Sequence, residues 1–173
     1  MRIASLICGL LAVALYLLCF QLKSAKRIIA CKFFSNILYV LQYVLLGAWI
    51  GAAMDAAGTL TAGLGYYRDK PRMQRHRILL LILTSVGITV IGILLYEAPY
   101  SLLALAGVLL ESAAIWMKRE KGIRIVSLMA VPCWLSYNVI CGAYGSVIGN
   151  VLGAVSIVTA LIRHRRTGDK PTA

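Results

Sequence analysis

Seven apolar runs decide which solvent this chain folds in. They cover residues 3–22, 33–49, 50–67, 78–96, 100–117, 125–141 and 146–162. A hydrocarbon layer about 30 Å thick asks for about 20 apolar residues at a rise of 1.5 Å each, and every run is of that order. Together they occupy most of the 173 residues, so no soluble domain is expected. Only 14% of the residues are charged and the mean hydropathy is +0.84. A water-soluble domain would carry roughly a quarter. The chain reads as an all-α membrane protein with seven transmembrane helices.

The net charge of +12 invites a nucleic-acid reading, which the positions of the cations exclude. Lys23, Lys26, Arg27 and Lys32 lie between runs one and two, and Arg68, Lys70, Arg72, Arg75 and Arg77 between three and four. Lys118, Arg119, Lys121 and Arg124 lie between five and six, and Arg163, Arg165, Arg166 and Lys170 follow seven. The alternate loops hold none, and Arg2 is alone at the other end. Cations gather on the cytoplasmic side of a multi-pass protein, so the amino terminus is expected outside and the carboxyl terminus in the cytoplasm. Run one is too long for a signal-peptide core and its stronger charge cluster follows it, which favours an uncleaved helix. The five cysteines (8, 19, 31, 133 and 141) have neither CxxC nor metal spacing and read as small apolar residues.

A gapless shift of 95 residues aligns runs one to three with five to seven. The identities include Leu10/Leu105, Lys23/Lys118, Lys26/Lys121, Gly47/Gly142, Ala48/Ala143, Gly58/Gly153 and Arg68/Arg163. Glycines and loop cations match by chance less often than apolar residues do. Adjacent three-helix units would be inverted relative to each other; one intervening helix restores a common orientation. Run four carries no charge or amide, as suits a linker, and is expected to stand apart from both bundles. The architecture is therefore three plus one plus three, with parallel repeats about an axis along the membrane normal. Residues 1–68 form the first repeat, 69–98 a cytoplasmic loop and linker helix, 99–163 the second repeat, and 164–173 a basic tail.

Polar side chains inside such runs are costly, about 2.5–3.5 kcal/mol for an aspartate at a helix centre. Asp55 aligns with Asn150, each three residues before a glycine. Tyr39, Gln42 and Tyr43 align with Trp134, Tyr137 and Asn138, and i, i+3, i+4 spacing puts each trio on one helix face. Two such stripes suit the wall of a small central cavity, the rings stacking on a solute and the amides bonding it. Tyr16 aligns with Glu111. Asp55 and Glu111 are the candidates for coupling to an ion or proton. Duller readings stand beside these. Asp55, about 6 Å from the outer end of its helix, could reach interfacial water. Glu111, two turns from Lys118, could form a structural ion pair. The glycines at 47, 58, 142 and 153 read as close-packing positions or hinges. His76 and His164 lie in basic stretches, and no nucleophile motif, phosphate loop or metal spacing is present, so neither enzymatic activity nor a cofactor is expected.

The stretch "VPCWLSYNVICGAYGSVIGNVLG", with Cys133, Trp134, Asn138, Gly142 and Gly153, resembles the bacterial inner-membrane YgjV family, as does "GAAMDAAGTLTAGLGYYR". That family implies no defined activity. In architecture the chain is similar to the SWEET and PQ-loop superfamily, where the third and seventh helices each present an asparagine to the sugar. Asn150 matches that pattern and Asp55 departs from it, which leaves room for a cation, a proton or a nucleoside-like solute. Of that superfamily's hinge prolines only Pro132 is suitably placed. Nicotinamide riboside transporters of the PnuC type share the architecture, so fold does not fix substrate. The expected function is a small-solute transporter of the cytoplasmic membrane working by alternating access. The alternative is a non-transporting receptor, chaperone or partner subunit of the same fold. The partners expected are the bilayer, a small polar solute and, for a homo-oligomer, a second copy.

Overall fold

The computed structural model describes residues 2–117 and 119–166, with the side chains of Arg2, Phe20 and residues 164–166 left out. Lys118 and residues 167–173, most of the expected basic tail, lie outside the described residues. The described residues form eight α-helices and no strand: α1 (Arg2–Gln21), α2 (Ala25–Leu46), α3 (Trp49–Tyr66), α4 (Pro71–Arg75), α5 (Arg77–Leu94), α6 (Ser101–Ile115), α7 (Glu120–Ile140) and α8 (Tyr144–Arg166). Each apolar run is the body of one helix. The additional helix, α4, is a single turn that Pro71 opens at its first position, where a fixed φ and a missing N–H cost nothing. Among the described residues, four helices are long and apolar enough to cross a membrane, within Ala25–Leu46, Arg77–Leu94, Glu120–Ile140 and Tyr144–Arg163. The 15-residue α6 is shorter than the hydrocarbon layer, at about 22 Å.

The helices depart most from the apolar runs at the starts of α2 and α7. An apolar run stops at the first charge, whereas a helix continues through any charge that finds a partner. Lys32, Arg68 and Arg124, counted above among loop cations, are buried at 2%, 6% and 3% exposure. Arg124 donates to the Leu22 carbonyl at 2.9 Å, just past α1. Arg68 donates to the Ile115 and Met117 carbonyls at 2.6 and 2.5 Å, at the end of α6. Both arginines thus satisfy orphan carbonyls at the negative end of a helix dipole. They are helix caps, not solvated loop charges.

Helix α2 packs on α1 and α3, and α7 packs on α6 and α8. The two groups meet where α1 packs on α8 and α3 on α6. Exchanging α1, α2 and α3 for α6, α7 and α8 leaves these contacts unchanged. Helix α5 packs on α6 and α3 rather than standing apart. It buries only Ile88 and Gly92, while Ile78, Ile93 and Leu94 are 74%, 66% and 77% exposed, an apolar surface suited to lipid.

Local geometry recurs at the 95-residue offset. Gly47 and Gly142 have φ of 75° and 68°, and they end α2 and α7. Beyond each, the next amide bonds back across the helix end: Ala48 N–H to the Tyr43 carbonyl at 3.0 Å, and Ala143 N–H to the Asn138 carbonyl at 2.9 Å. A left-handed residue at this place favours glycine. A β-carbon at either would meet nothing within 4 Å, so these two glycines serve turns and not close packing. Gly58 and Gly153 do serve close approach, since a β-carbon there would lie 3.2 Å from Asn36 Nδ2 and 2.6 Å from Tyr16 Cε1.

Candidate solute-binding cavity

Between the two helix groups lies a cavity of about 50 Å³, counted as space for the centres of water-sized molecules. One water needs about 10–15 Å³ on that measure, so the space suits a few waters or a small polar group. Tyr16 lines it from α1; Lys32, Asn36, Tyr39 and Tyr43 from α2; Asp55 and Gly58 from α3. Val108, Glu111 and Ile115 line it from α6, Trp134 and Asn138 from α7, and Ser146 and Asn150 from α8. Every helix except α4 and α5 contributes.

Of the residues expected to form a site, the structure brings Asp55, Asn150, Tyr39, Tyr43, Trp134, Asn138 and Glu111 together around this cavity. Gln42 and Tyr137 do not line it. Gln42 is 2% exposed, accepts a 2.9 Å hydrogen bond from Ser146 and fills the space against Gly9 and Gly145. Tyr137 is fully buried, with its ring edge-on to Tyr43 and Trp134 at 6.3 and 6.0 Å. Both sit behind the wall and hold it in place.

Two polar clusters flank the cavity along α2. Lys32 Nζ pairs with Glu111 Oε2 and donates to Ser127 Oγ at 2.7 Å, and Ser127 donates to the same Glu111 oxygen at 3.2 Å. Tyr16 lines the cavity together with Glu111. Three turns on, the Tyr43 hydroxyl donates to Asn138 Oδ1 at 2.5 Å. Lys32 with Ser127 and Tyr43 with Asn138 are each separated by 95 residues. Positions equivalent by the sequence shift therefore touch one another. The partner of Glu111 is Lys32, deep in α2, while the expected neighbour Lys118 lies outside the described residues.

Asp55 is 8% exposed and faces the cavity, not interfacial water. Thr59 donates to its backbone carbonyl, but among the described residues no donor or cation pairs with its carboxylate. The charge acting on it is that of Glu111, of like sign. Across the cavity, Asn150 Nδ2 is buried without a hydrogen-bond partner. Sequence reasoning missed Lys32, Asn36 and Ser146. The signal for the first two was present: residues 32, 36, 39 and 43 follow i, i+4, i+7, i+11, one continuous polar stripe. It crosses the start of the apolar run and so was cut in two.

A family model described as Imp-YgjV, bacterial inner membrane protein, matches residues 3–168. No curated protein and no solved structure matches the chain.

Proposed function

From its membership of the Imp-YgjV family of bacterial inner membrane proteins, to which the chain belongs, we propose that it is a small-solute carrier of that membrane, working by alternating access. The observation that carries this reading is a cavity lined from six helices, with polar side chains among apolar ones, that holds a carboxyl without a counter-ion among the described residues and an amide nitrogen without a hydrogen-bond partner. Unsatisfied buried polar groups are costly and so are rarely kept for packing alone. They fit a site that a solute completes.

The seven-span, three-plus-one-plus-three arrangement is part of the proposal. It is supported by helix contacts that survive exchange of the two groups, and by glycine turns and hydrogen bonds that recur or connect at the 95-residue offset. The Lys32 and Tyr43 clusters lie about 16 Å apart along α2, on either side of Asn36 and Tyr39. Rocking one group against the other would open the cavity past one cluster while the second stays closed. Removing Lys32, Arg68 and Arg124 from the loop cations leaves Lys23, Lys26, Arg27, Lys70, Arg72, Arg75, Arg77, Lys118, Arg119 and Lys121, so the charge bias still favours an external amino terminus.

The test is a stabilisation screen of the purified protein against sugars, nucleosides and vitamins, followed by uptake of any hit into proteoliposomes. Asn150→Ala is expected to weaken binding about tenfold, the worth of one buried hydrogen bond. If hits bind without being taken up, the carrier reading fails. For orientation, a reporter fused at Glu97 should report the outside and one at Arg72 the cytoplasm; a cytoplasmic signal at Glu97 would remove the seven-span arrangement.

A further inference from the structure

We infer that the solute this cavity takes is a small organic cation, with Asp55 as its counter-ion. The inference rests on the carrier reading for what the cavity is for, but its evidence is the balance of charge within the walls. Lys32 and Glu111 neutralise each other, and the bonds of both to Ser127 complete the pair. Asp55 is left without a counter-ion: its carboxyl is more than nine-tenths buried, with no cation or donor among the described residues. A buried carboxylate without a partner is costly in a low-dielectric interior. Without a partner such a group takes up a proton; a neutral solute leaves it so, whereas a cation gives the ionised carboxylate its partner.

The remaining wall says what kind of cation. Tyr39, Tyr43 and Trp134 line the same cavity as Asp55, and aromatic faces with one carboxylate are the chemistry that holds alkylammonium groups. A hard inorganic cation such as calcium asks for six to eight oxygen ligands, whereas Glu111, Asn138 and Ser146 in this wall are already bonded to Lys32, Tyr43 and Gln42. The small volume favours an ammonium head group over a bulky heterocycle. Asn150, whose amide has no partner, is placed to bond a polar substituent of the same molecule.

The experiment is a stabilisation and equilibrium-binding series on purified protein at constant ionic strength. The probes are choline, tetramethylammonium and dimethylbutanol, the last being the uncharged carbon isostere of choline; sodium chloride is the ionic control. Choline and tetramethylammonium are expected to bind saturably while dimethylbutanol does not. Asp55→Asn should weaken choline by more than about thirtyfold, since one partner of a buried charge pair is lost. Asp55→Glu should keep most of the binding. An Asp55→Asn protein with unchanged helical content and elution volume guards against misfolding. Equal affinity for choline and dimethylbutanol, or no response to either cation, would overturn the assignment. Binding of uridine or glucose that survives Asp55→Asn but not Asn150→Ala would overturn the cation and leave the carrier. Choline that binds through Asp55 but never enters proteoliposomes would do the reverse.

Discussion

Helices α2 and α7 hold equivalent places in their halves, yet their cavity faces differ at every matched position. Lys32, Asn36, Tyr39 and Tyr43 on α2 correspond to Ser127, Val131, Trp134 and Asn138 on α7. The backbone plan is shared: both helices end at a left-handed glycine, and both are followed by a helix that crosses to the other half. The difference has a geometric cause. In the proposed three-plus-one-plus-three arrangement a twofold-like axis would bring a position face to face with its own copy, in keeping with the bonds from Lys32 to Ser127 and from Tyr43 to Asn138. Identical residues there would set lysine against lysine, and at the next helix aspartate against aspartate. Like charges in a buried site repel and cannot both stay ionised. On this account the halves could keep one scaffold only by diverging where they meet. At the helix-ending turns, Gly47 and Gly142, the two are the same.

The comparison can be broken first at the ion pair. Glu111→Leu leaves Lys32 buried without its counter-charge and is expected to cost about 3–5 kcal/mol. Adding Lys32→Met should recover most of that loss, because an apolar pair of similar volume replaces a buried ion pair at little cost. Chemical unfolding in mixed micelles measures both. A smaller asymmetry is expected between Arg68 and Arg163, which are also equivalent. Arg68 is buried on two carbonyls, whereas Arg163 is exposed and reaches Gln21 at 2.9 Å. Arg68→Ala should cost about 1.5–3 kcal/mol and Arg163→Ala less than about 0.5 kcal/mol. The glycines sharpen the likeness instead. Gly47→Ala and Gly142→Ala should each cost about 1–2 kcal/mol, and by matching amounts, since neither added methyl meets an atom within 4 Å. Unequal costs would separate the two turns.

The helices and the offset were readable in the sequence because hydropathy and identity at fixed spacing are local signals. Seven of the nine expected site residues line the cavity for the same reason: a polar side chain in an apolar helix has few places to go. Gln42 and Tyr137 were misplaced because they sit one helical step from the lining residues, and a stripe read from spacing does not say where the wall ends. Lys32 was missed on another ground. Charge near an apolar boundary reads as loop, and only the third dimension shows that Glu111, 79 residues away, is waiting to pair with it. The arginine caps were missed for the same reason. Hydrogen bonds from Arg68 to Ile115 and from Arg124 to Leu22 span 47 and 102 residues.

The central claim, that positions 95 residues apart face each other across one axis, is most directly tested by exchanging the lysine and the serine that bond across it. Lys32→Ser alone strands Glu111 and should lower the unfolding free energy by about 3–5 kcal/mol. Lys32→Ser combined with Ser127→Lys puts the ammonium on the other helix, beside the same carboxylate, and should return most of that loss as a large favourable coupling in the double-mutant cycle. A double variant no more stable than Lys32→Ser alone would contradict the claim.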